Sequence, residues 1–342
     1  VRPVRGAWSM LLVLTLLGSG ALARADDPGS GEPDGPFARG VVVSCPRYGE
    51  VWGTDAMRTA VDELQGLGVE WIQIHPYARI HRDGRVTHRP AEERDYLERA
   101  AAIVGDRGLQ LFIKPHLAYW GSFSWRGAIE FSTPARWSRF FRDYQAFIVD
   151  QARFAERHGV PAFSVGTELE KTVRFEAEWR EIISAVREVY SGHVTYAANW
   201  DGVDRVPFWD AVDSIGVQAY FPTGSRSSTP AQLQASWNAV LERLERWSKR
   251  WERPIALAEI GYTRSRDAAK QPWKAERDSS LEAIRMRTML AEIALRSRDR
   301  ADFIVGMFWW KWIPGWSWFQ RDFSMRDPEM KALLAKHWGT PR

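Results

Sequence analysis

The chain has 342 residues and is 45% hydrophobic and 26% charged, enough to bury a core that needs no cross-links. Its net charge of +4 falls to near neutrality once Arg2, Arg5 and Arg24 are set aside, leaving 44 basic against 43 acidic residues. With no Lys/Arg-rich block either, no nucleic acid partner is expected. A single cysteine, Cys45, excludes an intramolecular disulfide.

Residues 1–25 read as a signal peptide: Arg2 and Arg5, then an apolar run over 10–17, then the small residues Ala21, Ala23 and Ala25. The run is too short to span a bilayer permanently. The expected localisation is periplasmic or secreted, without stable membrane insertion once the leader is cleaved; a retained N-terminal anchor is the alternative. Residues 26–38, rich in Gly, Pro and Asp, read as a linker, and 39–342 as one domain.

From Arg39 onward, short β-rich apolar runs alternate with amphipathic helical stretches. Strands are expected at 40–45, 69–75, 109–114, 162–167, 193–198, 214–219, 255–258 and 303–309. Helices are expected between and after them at 54–67, 91–107, 134–158, 176–190, 206–212, 230–251, 279–297 and 327–338. Gly68, Gly108 and Gly159 close three of these helices. Along 230–251 the tryptophans Trp237 and Trp247 fall at helical spacing with Leu233, Val240 and Leu244, and read as core. Strict alternation implies parallel strands with right-handed crossovers. Eight repeats fit an α/β fold of the (β/α)8 TIM barrel type, in a single domain. No G-x-G-x-x-G follows the first strand, so no nucleotide cofactor is expected.

In such a barrel the C-terminal ends of the strands meet at one mouth. His75 and Tyr77 follow strand two; Lys114, His116, Tyr119 and Trp120 follow strand three; Thr167 and Glu168 follow strand four. Strand five ends in Asn199, Trp200 and Asp201, strand six in Gln218 and Tyr220, strand seven in Glu259 and Tyr262, and strand eight in Trp309, Trp310, Lys311 and Trp312. Two carboxylates on opposite sides of a mouth walled by hydrogen-bonding and aromatic side chains suit glycosidic bond cleavage. Other readings stay open at this level. Each Glu could cap a strand or pair with an Arg; His75 and His116 with two Glu could hold a metal; Lys114 could form a Schiff base. Alternation should leave only about half of the tryptophans in 308–312 facing the mouth. The charged stretch 262–280 reads as a solvated insertion more than as a wall of the cleft.

The motifs Val165-Gly-Thr-Glu168-Leu169 and Ala258-Glu259-Ile-Gly-Tyr262, with the Trp-rich run 308–312, resemble the clan A glycoside hydrolase barrels. Within that clan they are most similar to glycoside hydrolase family 113, known for endo-β-1,4-mannanases, over residues 39–338. The resemblance implies Glu168 as acid/base, Glu259 as nucleophile, Tyr220 holding the nucleophile and Trp310 against the −1 sugar. It further implies a retaining mechanism and an oligo- or polysaccharide substrate with β-mannan as the favoured polymer; no metal or cofactor is expected, and the chain is expected to be a monomer. His75, Lys114, His116, Trp120, Thr167, Asn199, Trp200 and Lys311 complete the expected substrate-binding set. Most of the clan carries Asn before the acid/base; here that position is Thr167. A non-catalytic carbohydrate-binding or cell-envelope barrel is the alternative, followed by a metal-dependent hydrolase.

Overall fold

Val41, Val42 and Val43 are fully buried although successive side chains point to opposite faces of their strand. A strand buried on both faces belongs in a parallel sheet covered by helices. The computed structural model describes residues 37–45, 48–297, 301–315 and 323–339, so the expected signal peptide and nearly all of the linker lie outside the described residues. In chain order the strands are β1 (Ala38–Val43), β2 (Trp71–Ile74), β3 (Tyr77–Ile80), β4 (Val86–Thr87), β5 (Gln110–Ile113), β6 (His116–Ala118), β7 (Ala162–Thr167), β8 (His193–Asn199), β9 (Ser214–Gln218), β10 (Ile255–Ile260) and β11 (Ile304–Trp312). The helices are α1 (Asp55–Gly66), α2 (Asp95–Gly105), α3 (Pro134–Arg157), α4 (Glu176–Arg187), α5 (Pro230–Trp251), α6 (Leu281–Leu295) and α7 (Pro328–Trp338).

Eight strands close into a barrel in the order β1-β11-β10-β9-β8-β7-β5-β2, and every pairing in it is parallel. With helices packed around it, this is the expected (β/α)8 architecture. Inside, Val42, Phe112, Ala162 and Phe308 form the plug beneath the mouth. Gly40 lets the Phe308 ring lie against the backbone, since a Cβ there would fall 2.2 Å from Phe308 Cδ1. Outside, the apolar stripes of the helices cover the barrel. Trp137, Phe140, Phe141, Tyr144 and Phe147 do so from α3, and Leu233, Trp237, Val240, Leu244 and Trp247 from α5.

Two local expectations need correction, and one small sheet was not expected at all. The helix expected at 206–212 is replaced by two 3-10 turns, Val203–Arg205 and Trp209–Ala211. Pro207 lacks an amide hydrogen for a helical ladder, and buried Phe208 and Trp209 pin the segment to the barrel. The helix expected from residue 91 begins at Asp95. Ala91–Glu93 is a 3-10 turn tied to α3 by Ala91 N donating to Asp150 Oδ2 (3.0 Å), and Arg94 breaks the path with φ −114° and ψ 75°. Finally, β3, β4 and β6 make a small separate sheet at the mouth, in the order β4-β3-β6, which short runs without an apolar signature gave no reason to expect. Among the described residues no helix is long and apolar enough to cross a membrane.

Candidate active site

Strand β10 delivers Glu259 to the mouth with only 4% of its surface exposed. Burial of a carboxylate demands partners, and among the described residues three side chains stand beside it. Lys114, just past β5, donates to Oε1 through Nζ; Tyr220, just past β9, donates its hydroxyl to Oε2 at 2.9 Å; His116 Nε2 lies 3.8 Å from Oε1. Lys114 is itself fully buried and also donates to Gln218 Oε1 (3.0 Å) and the Ala258 carbonyl (3.4 Å). With its amide oxygen turned toward the ammonium, Gln73 accepts from Lys114 Nζ (3.3 Å) and donates to the Ala258 carbonyl (3.0 Å). Burial lowers the Lys114 pKa, and Glu259 works against that shift. Burial and the neighbouring carboxylates push the Tyr220 hydroxyl well up, so it stays a donor.

Glu168 stands across the mouth at the end of β7 in a different setting. Its φ of +55° is left-handed, uncommon for a residue with a side chain. Strand β8 holds it there: Glu168 N donates to the Ala197 carbonyl (2.8 Å), and the next amide, Leu169 N, donates to the Tyr196 hydroxyl (3.1 Å). The carboxylate accepts from Arg126 Nη1 at 2.7 Å. Burial raises the Glu168 pKa above the ordinary carboxylate value; Arg126 pulls it down and Glu259 pushes it up. The two carboxylates thus have unlike surroundings, one fixed by an ammonium and a phenol, the other by a guanidinium.

Arg126 is the residue that strand-end reasoning missed. It sits in a 3-10 turn, Arg126–Ala128, well beyond β6. Besides Glu168 it reaches the Leu117 carbonyl (3.3 Å) and His116 Nδ1 (3.1 Å), and its guanidinium lies 5.5 Å from the Tyr119 ring centre. The Trp125-Arg126-Gly127 turn has no periodic pattern that would place it at the mouth.

The open cleft, about 470 Å³, brings together Glu168 and Glu259 with His116, Tyr119, Arg126, Asn199, Trp200, Tyr220 and Trp310. An adjoining hollow contains Trp120 and Lys311, whose Nζ lies 5.3 Å from the Trp310 ring centre. Of the expected substrate-binding residues, His75, Lys114 and Thr167 do not line either space. Lys114 is engaged by Glu259 beneath the floor, and Thr167 turns its hydroxyl to the Pro115 carbonyl (3.4 Å). His75 is fully buried, stacked on His116 with ring centres 4.8 Å apart. Burial, first of all, lowers both imidazoles well below their ordinary pKa, so both are neutral. Among the described residues no three His, Cys, Asp or Glu converge as metal donors.

Of the tryptophans in β11, Trp309 and Trp312 are fully buried and Trp310 faces the cleft; simple alternation would put Trp310 and Trp312 on one face, but the pairing with β1 shifts register between them. The stretch 262–280 departs from expectation. Thr263, Ser265, Ala268 and Ala269 anchor it in the core, and Trp273 stacks on Trp200, with centres 6.0 Å apart and planes 20° off parallel. It is a wall of the cleft. Its charge concealed this, because one anchored aromatic is enough to set a loop over a groove.

Similarity to known proteins agrees with this geometry. No curated protein sequence matches the chain significantly. Among solved structures, a GH113 β-1,4-mannanase complex superposes with a TM-score of 0.78 at 20% identity, covering 90% of this chain and 100% of that one. The GH113 β-mannanase of Alicyclobacillus acidocaldarius in complex with ManMIm gives 0.75 at 22% identity, covering 89% and 98%. A glycoside hydrolase family 5 mannosidase from Rhizomucor miehei gives 0.59 at 11% identity, covering 88% and 92%. At such identities these likenesses establish the fold. The model of Glycoside Hydrolase Family 113 matches residues 46–323, a span that includes Glu168, Arg126, Tyr220, Glu259 and Trp310, and the chain therefore belongs to glycoside hydrolase family 113.

Proposed function

We propose that the protein is an exported, retaining β-1,4-glycanase acting on β-mannan, with Glu168 as acid/base and Glu259 as nucleophile. The observation that carries this reading is the unlike environment of two carboxylates lining one cleft. In the first step a Glu259 oxygen bonds to the anomeric carbon, the glycosidic C–O bond breaks, and Glu168 gives its proton to the departing oxygen. In the second, water attacks the anomeric carbon, Glu168 takes the water's proton, and the ester bond to Glu259 breaks. Lys114 and Tyr220 hold the Glu259 carboxylate in one orientation, which is the positioning such a displacement needs. Trp310, Trp200 and Trp273 offer flat faces to the C–H surfaces of sugar rings. The mannanases among the similar structures support mannan as the polymer.

Release of reducing ends from β-mannan, glucomannan, xylan, β-glucan and chitosan tests the reading. The wild type should cleave mannan, and Glu259→Ala and Glu168→Gln should each lose about 10³-fold or more. Binding without turnover on every polymer would instead favour a carbohydrate-binding barrel.

A further inference from the structure

The cleft does not end at Trp310. Across the shared wall of Tyr119, Arg126 and Trp310 lies the hollow of about 560 Å³, and across Tyr48 and Tyr77 lies another of about 350 Å³. Charge changes along this series. Asp201 stands on the first cleft, beside Trp200 and Trp273. Arg126, whose guanidinium also holds Glu168, and Lys311 line the second hollow. Arg79, Arg89 and Arg94 line the third with Glu50, and Arg89 is paired with Glu93 at 3.5 Å.

Arg94 is the most telling of these cations. It is only 4% exposed, yet no carboxylate pairs with it among the described residues; its guanidinium meets the Tyr77 carbonyl at 3.4 Å and the Tyr96 side chain. A buried guanidinium without counter-charge is costly, and here it borders an open hollow. Arg79, exposed on β3, likewise has no ion-pair partner among the described residues. A planar guanidinium fork matches a carboxylate by two parallel hydrogen bonds. Tyr48 and Trp120, both about half exposed (52% and 51%), offer flat rings beside these cations.

We infer that the groove beyond Trp310 binds a carboxylated sugar, a uronic acid residue of the glycan, with Arg94 and Arg79 holding its carboxylate and Tyr48, Tyr77 and Trp120 covering its ring. This rests on the proposal that the chain cleaves a glycan in the adjoining cleft, and it extends the substrate class from a neutral mannan to one that carries acidic residues.

The test uses the full chain and β-1,4-linked manno-oligosaccharides of equal length, one series neutral, one bearing a uronic acid, one bearing a phosphate ester. The expected result is a kcat/KM for the uronic acid series about tenfold or more above the neutral series, shrinking as salt is added. Arg94→Gln and Arg79→Gln should each remove most of that preference. Arg79 is exposed, so its variant keeps the test decisive should Arg94→Gln fail to fold, which thermal unfolding would reveal. Equal rates on the neutral and acidic series, or a preference that survives both substitutions, would overturn the inference. So would equal acceleration by the phosphate ester, since the groove would then read any anion. If no series is hydrolysed, the proposed function fails on its own. Calorimetric titration of Glu168→Gln with the same oligosaccharides then decides: tighter binding of the acidic series sustains the groove assignment, and equal binding removes it.

Discussion

Arg126 Nη1 donates to Glu168 Oε2 at 2.7 Å, so the carboxyl proposed to deliver a proton is held by a cation. Burial and Glu259 raise the Glu168 pKa while Arg126 opposes them. An acid must carry its proton, so activity is present below the Glu168 pKa and lost as pH rises through it. Without Arg126 that pKa rises further. Arg126→Gln should therefore move the alkaline limb of kcat/KM to higher pH while lowering the maximal rate through poorer positioning. A pH–rate profile with an unmoved alkaline limb would sever the link between the two residues.

Lys114 and Glu259 form a buried ion pair, and breaking such a pair from one side leaves an uncompensated charge. Lys114→Met should cost about 3–5 kcal/mol of stability. The double variant Lys114→Met/Glu259→Gln should cost clearly less than the sum of the two single changes. Urea unfolding of all four proteins measures this, and strict additivity would show that the pair is not coupled.

His75 and His116 supply an acid-side dependence. Their pKa values are lowered well below the ordinary one, first by burial, so the folded chain resists protons that the unfolded chain accepts. Stability is thus full above about pH 6.5 and declines as pH falls below it, by at most about 1.4 kcal/mol per pH unit for each imidazole. The midpoint of thermal unfolding should drop over this range in the wild type and less steeply in His75→Phe.

Trp273 is 47% exposed and touches the cleft through Trp200. Trp273→Ala should raise KM several-fold, in line with the roughly 0.5–1.5 kcal/mol of one aromatic contact. Unfolding free energy should move by no more than about 0.5 kcal/mol. A large loss of stability with unchanged KM would return the loop to a purely structural part.

Gly40 tests the barrel interior. A Cβ there would meet the Phe308 ring at 2.2 Å, inside a plug that has no spare room. Gly40→Ala should destabilise by about 1–3 kcal/mol, and Gly40→Ala/Phe308→Leu should recover part of the loss.

Much of this molecule was legible in the chain itself. Alternating apolar runs and amphipathic stretches determine a closed parallel barrel, because strands buried on both faces need helices over them, and strand ends are where such a barrel gathers polar side chains. Glu168, Glu259, Tyr220 and Trp310 could be read for that reason: each sits at the end of a barrel strand. Packing between distant segments left no such trace in the sequence. Lys114 lies under Glu259 rather than in the cleft because a buried carboxylate takes the nearest buried cation. Arg126 reaches Glu168 from a turn with no periodicity, and Trp273 is set over the groove by a core-anchored loop. Periodicity reports the face a residue shows to its own element; only tertiary contact decides which charge meets which.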